Sequence, residues 1–313
     1  MAKQYMYSET FHSIQGEGHY TGVPSLWLRF FLCNLQCDGF GQRDPTDPDS
    51  WELPYQELDL DAHWSTGEKK YNKMSDLPVF QQGCDSSYSW SKKFKGLQHK
   101  GTVEDIFESL VGCAMNDVEN DEDLKFLIEN NHMCFTGGEP LMKHAQEASV
   151  GLIDYILDEK GLLFPSVTYE TNGTQTLTED FYKKWELHQK RGTELFFSIS
   201  PKLWSVSGEK ADKALPIHPV QDYYNLSSNG QLKFVVNSTN QAWDEMEDAI
   251  ERFRAAGVDY PIWVMNCGAT LEGQQGWVEG HNPEKDVCIE AIKRGYNYSS
   301  RVHVHIFGNQ IGT

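Results

Sequence analysis

Short apolar runs of strand length recur along this chain with helical patterns between them, and that alternation narrows the possible folds more than any other feature. The runs cover residues 25–32, 132–135, 166–170, 194–199, 232–236, 261–265 and 301–307. Between them, Thr102 and Asp105 frame a capping box that opens a helix through about residue 115, with Ile106, Leu110 and Val111 on one face. Further helices are expected over 145–160, ended by Gly161, and over 178–191, stopped by Gly192. Two more are expected over 242–256, closed by Gly257, and over 284–294. Strands separated by helices imply right-handed crossovers and a parallel sheet. Six or so such units fall short of an eightfold barrel, so an α/β fold of the partial (β/α)6 type, or an open sheet, is expected.

One stretch breaks the rhythm. Residues 38–83 hold Pro45, Pro48, Pro54 and Pro78, carry ten acidic and four basic residues, and show no clear period. They are expected to form an inserted loop or small subdomain within a single domain spanning 1–313.

Composition excludes some partners. Among 313 residues, 46 Asp plus Glu stand against 27 Lys plus Arg, for a formal net charge of −19. That balance argues against nucleic-acid binding through a basic face, since phosphate neutralisation supplies most of such affinity. No apolar leader opens the chain, and nowhere do about 18 apolar residues run together, so neither a signal sequence nor a membrane partner is expected. The seven cysteines are odd in number and scattered, which suits reduced thiols in a cytoplasm better than a disulfide framework.

In parallel α/β folds, ligands bind at the carboxyl ends of the strands. The turn after each run is therefore informative. The first run leads into Cys33-Asn34-Leu35-Gln36-Cys37, the second into Thr136-Gly137-Gly138-Glu139-Pro140. The third meets Glu170-Thr171-Asn172-Gly173-Thr174 and the fourth Ser198-Ile199-Ser200-Pro201-Lys202. Four polar turns at one rim describe a site. Cys33 and Cys37 can point at one metal centre, with Cys84 as a third ligand; thiolates suit either an iron–sulfur cluster or zinc. A zinc site would want a fourth protein ligand, and no fourth Cys lies nearby in sequence. Cys113, Cys134, Cys267 and Cys288 fall in or beside elements and are assigned no ligand role.

A Cys pair after the first strand and Gly-Gly-Glu-Pro after the second resemble the radical S-adenosylmethionine enzymes. There, three Cys hold a 4Fe–4S cluster with Cys-x3-Cys-x2-Cys spacing; here 46 residues separate Cys37 from Cys84. The segments Ser13-Ile14-Gln15-Gly16-Glu17-Gly18 and Cys84-Asp85-Ser86, together with Arg29 and the two later turns, narrow the resemblance to the 7-carboxy-7-deazaguanine synthase family.

The resemblance implies a partial radical-enzyme barrel and a carbon–nitrogen lyase that contracts the ring of 6-carboxy-5,6,7,8-tetrahydropterin with loss of ammonia, serving queuosine or a modified DNA base. It implies Cys33, Cys37 and Cys84 for the cluster, and Asp85, Gly138, Glu139, Ser200, Pro201, Lys202 and Asn266 for S-adenosylmethionine. Ser86 stands where the family carries a Mg2+ ligand. Ile14, Gln15, Gly16, Glu17, Arg29, Thr136, Glu170 and Asn172 fall to the substrate, with the terminal carboxylate of Thr313. A homodimer and a flavodoxin-like or other reductant are further implications, and the radical chemistry falls to the cofactor rather than to a side chain. The competing readings are a glycyl-radical activase and a zinc-stabilised binding module. His303 and His305, two apart on the last expected strand, would face the same way.

Overall fold

The apolar runs pair side by side in a computed structural model that describes residues 2–275, 282–308 and 310–312. Its strands are β1 (Tyr5–Ile14), β2 (Pro24–Phe30), β3 (His99–Gly101), β4 (His132–Gly137), β5 (Ser166–Thr171), β6 (Glu194–Ile199), β7 (Gly230–Val236), β8 (Ile262–Asn266) and β9 (Asn297–Tyr298). They form one nine-stranded sheet in the order β3-β1-β2-β4-β5-β6-β7-β8-β9. Neighbours from β2 to β9 are parallel, and β1 is antiparallel to both β2 and β3. This is the expected α/β architecture with an antiparallel margin added.

Strand alternation sorts the side chains into two faces. On the helix side, Phe30, Phe135, Tyr169, Phe197 and Tyr223 form an aromatic row with successive ring centroids 6.1, 5.0, 6.1 and 4.9 Å apart. Trp185 and Phe181, from the helix Glu179–Lys190, close over Tyr169. The other face receives the residues between: Arg29 from β2, Thr136 from β4, Glu170 from β5, Ser198 from β6 and Lys233 from β7. One face is thus an ordinary apolar core, and the other is polar and set aside for a site.

The helices form where caps and glycines direct them. Thr102 and Asp105 exchange capping bonds at the start of Val103–Gly112, and Ile106 and Leu110 are buried. Gly161 closes Lys143–Lys160 at φ +66°. Thr178 caps Glu179–Lys190, and Asn240–Ala255 precedes Gly257.

One expectation fails. Residues 301–307 form no strand; Val302–Phe307 is a helix. β9 already takes the place beside β8, and in the helix Val304 is the buried residue. Consequently His303 and His305 do not share a face: His303 lines the cavity, while His305 meets Ser300 and Glu284 at the surface. Nor was β1 among the expected runs. Its Ser, Glu, Thr and His residues interrupt the apolar pattern, and its long antiparallel ladder with β2 supplies the pairing that sequence pattern lacked.

At the base of the polar face, His132 shares a hydrogen bond with Thr168 Oγ1 (2.8 Å) and packs edge-on against Tyr20. Burial lowers its pKa from 6.5 to about 4. The folded chain therefore binds fewer protons than the unfolded chain across that window, so stability is lost as pH falls from 6.5 toward 4. The loss attributable to this ring is at most about 3 kcal/mol. His132→Gln, which keeps a hydrogen-bonding group, is expected to flatten the fall in urea midpoint between pH 7 and pH 5; an unchanged slope would assign the effect elsewhere.

Candidate active site

A large cavity opens over the polar face at the carboxyl ends of the strands. Its cysteine wall begins where β2 ends. Leu32 and Cys37 both hold left-handed backbone, at φ +87° and +53°, a conformation costly for residues with a Cβ. The loop is held there by neighbours: Leu32 N–H donates to Ser89 O at 2.8 Å, Glu139 N–H to Leu32 O at 2.9 Å, and Gln36 N–H to the Glu209 carboxylate at 2.7 Å. Gly137 and Gly138 make the approach possible, because a Cβ on either would fall 2.3 or 2.2 Å from a backbone oxygen of Phe30 or Leu32.

Cys33, Cys37 and Cys84 all face this cavity. Burial pushes the Cys33 thiol up to about 12, Cys84 to about 11, and Cys37 well above its ordinary value, while Lys202 opposes the rise at each. Such thiols are poor free nucleophiles and become thiolates on binding metal. Among the described residues, no three His, Cys, Asp or Glu side chains converge as ligands to one ion. Three thiols that line one cavity without closing on a single ion fit a cluster several ångströms wide better than a single zinc, whose sulfurs lie about 2.3 Å from the metal. The Lys202 ammonium, hydrogen-bonded to Ser200 Oγ at 2.9 Å, is placed to offset the charge such a cluster would bring.

The remainder of the cavity is a buried charge array. Lys233 Nζ lies 2.6 Å from Glu17 Oε2 and 3.0 Å from Glu170 Oε2. Arg301 reaches Glu17 at 2.9 Å and Asp85 at 2.8 Å, and donates to Gly268 O. Gln15 donates to Glu170 Oε1 at 2.8 Å. Burial pushes Glu17 up, but Lys233 and Arg301 together outweigh it and hold the carboxylate below its usual range. His303 packs on Gly16 so closely that a Cβ there would lie 1.9 Å from its Nδ1, and burial lowers His303 to about 4.

Several known proteins are similar to this chain in sequence. No family model matches the chain. A 7-carboxy-7-deazaguanine synthase from Rhodopirellula baltica is 25% identical, covering 98% of this chain and 88% of its own. Those from Halobacterium salinarum, at 25%, and Pyrobaculum aerophilum, at 23%, cover 96% and 97% of this chain and 90% and 95% of their own. Over nearly its whole length, the chain resembles the 7-carboxy-7-deazaguanine synthases. The crystal structure of QueE from Escherichia coli aligns over 96% of this chain and 95% of that one, with 19% identity and a TM-score of 0.47.

Of the residues expected from resemblance to these synthases, the cavity gathers Ile14, Gln15, Gly16, Glu17, Arg29, Thr136, Glu170 and Asn172, with Asp85, Ser86, Gly138, Ser200, Lys202 and Asn266. Three stand apart. Glu139 is fully buried beneath the wall, where it accepts from Leu141 N, Thr171 Oγ1 and Asn172 N; burial raises it to about 7 despite these donors. It ties two turns together instead of facing the cavity. Pro201 does not line the cavity either, and Thr313 lies outside the described residues. Arg29 is engaged within the protein, through Nε with Glu9 at 2.7 Å and through Nη1 with Ser86 Oγ at 3.3 Å.

Sequence reasoning missed Glu9, Tyr88, Lys233, Arg301 and the cavity-lining Cys267. For Lys233 a signal existed: it is the single charged residue in the strand Gly230–Val236. Glu9 and Arg301 carried none, being ordinary charges in segments misread or unread as elements.

Proposed function

We propose that this chain is a 7-carboxy-7-deazaguanine synthase, converting 6-carboxy-5,6,7,8-tetrahydropterin to 7-carboxy-7-deazaguanine with loss of ammonia. The observation that carries the reading is that one cavity holds all three candidate cluster thiols together with the Gln15–Glu170–Lys233–Glu17 array. A 4Fe–4S cluster and S-adenosylmethionine, when bound, supply the radical that takes hydrogen from C6 of the pterin.

The chain's own residues bind, orient and exclude water. Cys33, Cys37 and Cys84 hold the cluster; Lys202, Ser200, Gly138, Asp85 and Asn266 serve the cofactor's polar groups. Glu17 and Glu170 are acceptors for the pterin's guanidine-like N–H edge. Arg29, fixed by Glu9 and flanked by the rings of Phe11 and Tyr88, offers its cation to the substrate carboxylate. Ser86 and Asp85 place oxygens side by side, 3.3 Å apart, as the hard ligands Mg2+ prefers. A homodimer in the cytoplasm, reduced by a flavodoxin-like partner, completes the reading. Among the described residues, no helix is long and apolar enough to cross a membrane.

Residues 38–83 we assign to the cavity wall as an insertion in one domain. Tyr55, Met74, Leu77 and Phe80 build a separate apolar cluster with Tyr88 and Phe94, and Phe40, Pro78 and Val79 face the cavity. The test is anaerobic reconstitution with iron and sulfide, then substrate, S-adenosylmethionine and a chemical reductant, with product followed by mass. Turnover is expected; a protein that cleaves S-adenosylmethionine but leaves the pterin intact would overturn the assignment. A glycyl-radical signal in a co-purified protein would favour the activase instead. Replacing 43–78 by a Gly-Ser bridge is expected to keep part of the cluster and raise KM, because loop closure costs little while Pro78 and the packing of Tyr55, Met74 and Leu77 behind the wall are lost.

A further inference from the structure

Lys233 sits in the middle of β7, and its side chain is 4% exposed. A buried ammonium is costly unless paired, and an apolar residue would serve the sheet at least as well. Here it joins three distant segments: its own strand, Glu17 beyond β1 and Glu170 at the end of β5.

The bonding pattern is specific. Glu170 gives Oε1 to Gln15 and Oε2 to Lys233; Glu17 gives Oε1 to Arg301 and Oε2 to Lys233. Each carboxylate oxygen meets one protein donor, and an ionised carboxylate has about four acceptor sites. Both therefore keep capacity for a ligand's N–H groups. Glu17, Glu170 and Asp85 outnumber Lys233 and Arg301 by one, and the net negative charge complements a donor-rich edge.

We propose that Lys233 is a positioning and specificity-determining residue that fixes Glu17 and Glu170 as paired acceptors for a 2-amino-4-oxo pyrimidine edge. The proposal rests on the reading of the substrate as a pterin. Without the ammonium, Gln15 is the partner left on Glu170, whose carboxylate is then free to turn away, and an acceptor is lost. A ligand with an oxo group in place of the 2-amino group presents an acceptor where acceptors already stand, and the site rejects it.

The experiment titrates anaerobically reconstituted enzyme, with S-adenosylmethionine present, with two unreactive probes: pterin-6-carboxylate and its 2-oxo counterpart, lumazine-6-carboxylate. The native chain is expected to prefer the amino probe by roughly 30- to 100-fold, the range of a charge-assisted hydrogen bond. Lys233→Met should bring that preference close to unity while S-adenosylmethionine affinity stays unchanged, and Lys233→Arg should restore most of it. Because Lys233→Met leaves an unpaired buried carboxylate, Lys233→Met with Glu170→Gln is the second variant; it removes that charge and should melt like the native chain yet show no preference. Native-like preference in Lys233→Met, or in the double variant where the single one does not fold, overturns the role of Lys233 and spares the pterin reading. A native chain that binds neither probe overturns both.

Discussion

Cys33→Ala, Cys37→Ala and Cys84→Ala are each expected to abolish the visible charge-transfer absorbance of reconstituted protein and all cleavage of S-adenosylmethionine. Cys113→Ala and Cys134→Ala should keep both. The contrast comes from placement: the first three thiols face one cavity, whereas Cys134 is buried within β4 and Cys113 caps the helix Val103–Gly112. Cys37 allows a sharper test. Its backbone sits at φ +53°, a region in which glycine is unstrained. Cys37→Gly is therefore expected to lose the cluster while the metal-free protein melts no lower than the native chain, separating ligation from folding. The rival third ligand is Cys267, which lines the same cavity. Full iron content in Cys84→Ala together with its loss in Cys267→Ala would transfer the role.

Gly138→Ala should be the most damaging change outside the three thiols. The added Cβ would lie 2.2 Å from Leu32 O and 2.9 Å from the Cys33 Cβ, so the turn after β4 and the cysteine loop must separate. Separation breaks the bonds from Gly138 N to Phe30 O at 3.2 Å and from Glu139 N to Leu32 O at 2.9 Å. Overpacking of this kind costs roughly 3 kcal/mol, and the displaced loop should lower iron occupancy more than tenfold. Gly112→Ala is the control: its Cβ would meet nothing within 4 Å, and it lies in a helix, so stability should hold or rise. Equal melting and iron content in the Gly138 and Gly112 variants would show that the close approach is not needed.

The aromatic and β-branched runs, the Thr102 capping box and the glycine stops at Gly161 and Gly257 were legible from sequence because they act locally. Period, cap and left-handed backbone are properties of a few consecutive residues. So was the cysteine and glycine rim, since in a parallel sheet every strand-to-helix turn meets at one edge. Local pattern could not decide β1, whose polar residues become strand only through the ladder with β2, or the helix Val302–Phe307, whose alternation would suit either state until β9 occupied the edge. The charge array lay further out of reach. Glu17, Glu170, Lys233 and Arg301 are remote in sequence, and a charge reads as surface until the strand faces are assigned. Burial then reverses its meaning, because an ammonium out of water must find carboxylates, and only the packed sheet says which ones are within reach.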